Sequence, residues 1–168
     1  AMVLSAMAWL IGVASLIILE LTVRAFGPLG FAPDDAWVAR AGLVLLTLAC
    51  LLGALITVVG EGEAAAGRPP EFYGAAGVLK FPHGVPLHAL QVLFVQGWLM
   101  RRLKVPLVAR RRSLQWVTAG LVLSTAYAIV QTAMGGPRFP PVNMVTTGLA
   151  GLAAFAFVAG GVRAFVRR

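Results

Sequence analysis

The sequence predicts an all-α polytopic bundle of membrane-spanning helices, and three observations predict it. The chain of 168 residues is 60% hydrophobic and only 12% charged, about half the charged fraction of a soluble domain. Its mean hydropathy is +0.88, which calls for a bilayer as solvent. Its apolar residues fall into five blocks, each about 20 residues long, the length an α-helix needs to cross ~30 Å of hydrocarbon. One domain, residues 1–168, holds all five.

The first block, 2–26, has no basic leader and is too long for a signal-peptide core, so it reads as a retained span. Its charges, Glu20 and Arg24, stand four apart with the acid first, the favourable order for a helical ion pair. Pro28 and Pro33 break the chain before the second block, 36–60, which Asp34 or Asp35 is expected to cap. Ala49 and Gly53 form a small-xxx-small pair there, suited to close helix approach. Residues 61–85, rich in Gly and Pro and holding Glu61, Glu63 and Glu71, read as an outer loop.

The third block, 86–104, has Pro86 at a position where a first helical residue tolerates proline. A basic cytoplasmic loop, 101–113, carries six of the fourteen basic residues. The fourth block, 114–134, is uncharged and has a ridge of Gly120, Ser124 and Ala128; the fifth, 142–164, is rich in Gly and Ala. Basic residues split eleven to three between the two sets of loops, which predicts an outside N-terminus and a cytoplasmic C-terminus. Trp37, Trp98 and Trp116 fall near the cytoplasmic ends, as an aromatic belt would.

The net charge of +8 follows the span ends and forms no basic stripe interleaved with aromatics. The partners implied are the lipid bilayer, anionic lipid at the basic loop, and other membrane subunits or further copies of the chain, with no nucleic acid. Cys50 is the one cysteine, which precludes an intrachain disulfide and a thiolate metal cluster.

Chemistry has few places to reside. His83 and His88 would point about 140° apart on one helix, unlike the i, i+4 pair of a helical metal site. An antiparallel pairing of the third and fourth spans would set His88 level with Gln131, and Gln91 level with Tyr127. Asn143, Thr146 and Thr147 would open the fifth span at the same depth, so polar side chains would converge in the outer half. His88, His83, Gln91, Tyr127 and Gln131 are therefore the candidate cofactor-binding residues. Interhelical hydrogen bonding is the plainer account of the set. A haem could take His88 with His83, Met134 or Met144 as second ligand. A divalent metal could draw on His83, His88, Glu61, Glu63 and Glu71. No nucleophile elbow, acid-oriented histidine or phosphate loop is present, so no catalytic residue is assigned.

The run KFPHGVPLHALQ, Lys80 to Gln91, resembles a stretch in uncharacterised bacterial polytopic membrane proteins, where a similar Phe-Pro-His-Gly-x-x-x-His-Ala-x-Gln run opens a span. The resemblance implies that His83, His88 and Gln91 are the positions to test first, and it implies no activity. The expected role is that of a non-catalytic small subunit or accessory protein of the bacterial cytoplasmic (inner) membrane, with an outer pocket near His88 for a cofactor or lipid. A b-type haem or metal-binding redox protein is the alternative, and a small-solute carrier the third.

Overall fold

The computed structural model describes the backbone of residues 2–68 and 77–165, and the side chains of residues 9–68 and 77–162. Every element among the described residues is a helix: α1 (Met2–Ala25), α2 (Pro33–Ala65), α3 (Lys80–Leu87), α4 (Ala89–Arg102), α5 (Leu107–Ala133) and α6 (Met144–Phe165). Among these residues three helices are long and apolar enough to cross a membrane: Pro33–Ala65, Leu107–Ala133 and Met144–Val162. Large apolar side chains line the outside, including Trp9, Leu51, Val58, Phe94 and Phe155. That pattern suits a chain solvated by lipid tails.

Small residues let the helices meet. A Cβ on Gly42 of α2 would fall 3.0 Å from the Leu90 Cα of α4. A Cβ on Gly160 of α6 would fall 2.8 Å from the Val117 Cγ2 of α5, and one on Gly120 would fall 3.1 Å from the Phe157 ring. Around these approaches the core packs Leu45, Leu93, Met100, Leu114 and Leu121. Between α1 and α2 the hydroxyls of Thr22 and Thr47 lie 2.7 Å apart.

The helix boundaries differ from the sequence reading in three places. First, α2 continues through Glu61 and Glu63 to Ala65, so the stretch read as outer loop 61–85 begins and ends in helix. At 33 residues it is about 50 Å long, longer than the ~30 Å hydrocarbon, and its polar tail can stay helical in water. It ends where Gly67 takes φ +71 and the Arg68 N–H reaches back to the Glu63 carbonyl, a glycine-terminated helix stop.

Second, the helix expected from Pro86 already runs from Lys80 and has Pro82 and Pro86 inside it. Pro86 does not start a helix: it lies in the last turn of α3, and α4 starts at Ala89. The break at His88 separates α3 from α4. Third, the basic loop 101–113 shrinks to residues 103–106, with Lys104 at φ 56. Arg110, Arg111 and Arg112 lie in the first turns of α5.

Neither Asp34 nor Asp35 caps α2. The cap position is Ala32, without a side-chain bond, and Pro33 takes the first turn. The two aspartates turn instead towards arginines. Arg163, Arg167 and Arg168 lie outside the described side chains, as does Glu71.

Candidate functional site

The polar residues expected in one outer pocket divide into three groups. His83 is half-buried, and its Nδ1 lies 2.8 Å from the Ala49 carbonyl oxygen of α2. A carbonyl only accepts, so Nδ1 carries a proton there. The imidazole lies over Gly53, whose added Cβ would fall 3.1 Å from His83 Cε1. Ala49 and Gly53 thus admit a histidine ring between the two helices.

His88 turns the other way. It is exposed on the α3–α4 break, with Nδ1 2.8 Å from Gln91 Oε1, and Gln91 is exposed as well. The same outward face carries Val95, Trp98 and Arg102, the last stacked over the Trp98 ring at 5.4 Å. His88 and Gln91 therefore do not sit beside Gln131 and Tyr127. Because α3 begins at Lys80 and breaks at His88, the side chain it brings to Tyr127 is Phe81, edge-on at 6.0 Å.

The third group serves the α5–α6 connector. Gln131 is fully buried at 0% exposure. Its amide donates to the carbonyls of Pro137 at 2.7 Å and Pro140 at 2.9 Å. Its Oε1 accepts from the Val142 N–H at 3.3 Å. The Tyr127 hydroxyl donates to the Arg138 carbonyl at 2.6 Å. Asn143 and Thr146 cap α6 reciprocally: the Thr146 N–H donates to Asn143 Oδ1 at 2.9 Å, and the Asn143 N–H donates to Thr146 Oγ1 at 3.2 Å. A connector with three prolines has few donors of its own, and these side chains satisfy its carbonyls.

Beside this group lies an open cleft of about 450 Å³ between α3, α5 and α6. Phe81, Tyr127, Phe139, Leu121 and Phe157 line it, with Ala153 and Ala154 from α6, and Ser124 is its one small polar residue. Phe139 is exposed and stacks on Tyr127 at 5.7 Å. The cleft's lining is almost wholly apolar. Of the expected cofactor-binding residues only Tyr127 reaches it.

For metal binding, Glu63 pairs with Arg68, with Oε1 2.9 Å from Nη2. The hydrogen bond from Arg68 holds its carboxyl below the usual carboxylate range. No group of three His, Cys, Asp or Glu that could hold a metal ion forms among the described residues.

A cluster that sequence reasoning missed gathers at the other end. Asp34, 1% exposed, accepts from Arg110 Nε at 2.9 Å and lies 3.6 Å from Arg101 Nη1. Asp35 also pairs with Arg101. The Asp34 Oδ1 atom is buried with no protein partner. The partners stand 76 residues apart, so periodicity could not pair them. The available signal was scarcity: six acids among fourteen bases make adjacent aspartates beside an apolar span obvious partners for arginine. Nearby, Ser113 donates to the Gly160 carbonyl at 2.6 Å and accepts from Gln96 at 3.2 Å, tying α4, α5 and α6 together.

Comparison with protein-family models, with curated proteins and with solved structures finds no match.

Proposed function

We propose that the chain is a multi-pass, non-catalytic protein of a bacterial cytoplasmic membrane, an accessory component that holds the acyl chain of a lipid in the cleft beside Tyr127. The observation that carries this reading is the cleft's lining: aromatic rings and alanines enclose about 450 Å³ with one serine among them. In a bilayer such a surface holds an acyl chain by van der Waals packing rather than by the hydrophobic effect, and it offers nothing to a hydrated ion or a polar solute. The Tyr127 hydroxyl is already engaged by the Arg138 carbonyl, so what the residue offers the cleft is carbon surface.

The test is to extract the protein in mild detergent and weigh the lipids that remain with it by mass spectrometry. Ala154→Trp fills the cleft from α6, at an exposed position that leaves the core untouched. Retained lipid should fall severalfold in this variant, with thermal unfolding unchanged. The same lipid content in both proteins would overturn the reading.

A second reading, as a subunit of a larger assembly, is favoured by the outward His88–Gln91 pair. From Arg101, His88 lies about 20 Å along the helical segment, inside the hydrocarbon if Arg101 marks its edge. Polar side chains at that depth face other helices more often than lipid. Native mass spectrometry decides it. A co-purifying partner lost in His88→Leu/Gln91→Leu supports the assembly, and a lone monomer in both proteins counts against it.

A further inference from the structure

We infer that the first two turns of α5 form a second lipid site, one that takes the phosphate of an anionic phospholipid between Arg111, Arg112 and Gln115. The three side chains line an open cleft of about 320 Å³, walled by Pro33 of α2 and by Leu107 and Val108. Arg111 and Arg112 are exposed.

Among the described residues every acid near this end has a cation: Glu20 pairs with Arg24, and Asp34 and Asp35 pair with Arg101 and Arg110. Glu63 pairs with Arg68 at the opposite end of α2, with Glu61 two residues earlier on the same helix. Arg111 and Arg112 have no carboxylate within ion-pair distance among the described residues. They are adjacent, and the anion they require comes from outside the chain. Guanidinium forks match phosphate oxygens in planar, two-point geometry.

Depth then selects the source. A free phosphate ends at the arginines, whereas a phospholipid headgroup carries its own apolar continuation. Along α5 the arginines come one turn before Gln115, and the apolar span follows. In a phospholipid the phosphate comes before the ester oxygens, and the acyl chains follow. Gln115 is placed to donate to an ester oxygen while the arginines hold the phosphate.

The test uses the full chain in nanodiscs or mild detergent, with lipid adducts counted by native mass spectrometry. Phosphatidylglycerol and phosphatidylcholine are offered at equal concentration. Wild-type protein should retain phosphatidylglycerol preferentially. At about fivefold per arginine, Arg111→Gln/Arg112→Gln should lose about 25-fold of that preference. Arg102→Gln, which removes a cation stacked on Trp98, should keep it. Equal preference in the double variant and in Arg102→Gln would overturn the site. Displacement of the lipid by millimolar inorganic phosphate alone would overturn the assignment to a lipid headgroup. Ala154→Trp should leave this binding intact, so the two clefts fail independently.

Discussion

At the residue scale, the largest consequences attach to polar groups buried at helix ends. Asp34 is buried against Arg110 and Arg101, both partly exposed. Removing one partner of a buried pair leaves the other uncompensated, at up to about 3–5 kcal/mol. With the arginines partly in solvent, Asp34→Ala should cost about 2–4 kcal/mol in detergent thermal unfolding. Glu20→Gln should cost less than about 1 kcal/mol, because both members of its 2.6 Å pair with Arg24 are exposed. Equal effects of the two substitutions would show that Asp34 does not hold α2 to α4 and α5. Gln131→Ala removes three hydrogen bonds to the connector and should cost about 3 kcal/mol at ~1 kcal/mol each. Limited proteolysis near Arg138 should accelerate in that variant. Gln131→Glu is predicted to be no rescue, since a carboxylate has no hydrogen to offer two carbonyls.

At the scale of elements, close approach rather than hydrophobic patterning decides which glycines matter. A methyl on Gly42 meets the Leu90 backbone at 3.0 Å, and one on Gly160 meets the Ser113 carbonyl at 3.2 Å. Backbone cannot rotate aside, so Gly42→Ala and Gly160→Ala should each cost about 1–3 kcal/mol. Gly148 has nothing within 4 Å. Gly148→Ala should therefore be neutral or stabilising by up to about 1 kcal/mol through helix propensity. Melting curves of the three variants side by side check the ranking. The sequence marked Gly120, Ser124, Ala128, Ala49 and Gly53 as small-residue contacts, and the structure gives several of them definite neighbours. It could not mark Gly42, because nothing local distinguishes a glycine facing Leu90 from one facing lipid.

At the scale of the whole molecule, arginines gather at one end of the bundle. Arg40 donates to the Ala25 and Gly27 carbonyls at the close of α1. Arg101 and Arg110 meet the start of α2. The eleven-to-three division of basic residues predicts that this end is cytoplasmic. In a Cys50→Ala background, a cysteine at Lys104 should resist a membrane-impermeant thiol reagent in intact cells, and one at Arg68 should react. The reverse pattern would invert the proposed orientation.

Composition and block length alone determined an all-helical chain suited to a bilayer, because the cost of unpaired backbone groups in hydrocarbon leaves few other options. They also marked Tyr127 and Gln131 as residues of one helix end. Tertiary structure alone decided what each polar group meets. His83 turns to Ala49, His88 turns outward, Gln131 turns to the connector, and Asp34 turns to Arg110. Such pairings depend on where helices begin, break and cross. The break at His88 moved that register, and hydrophobic periodicity carries no record of it.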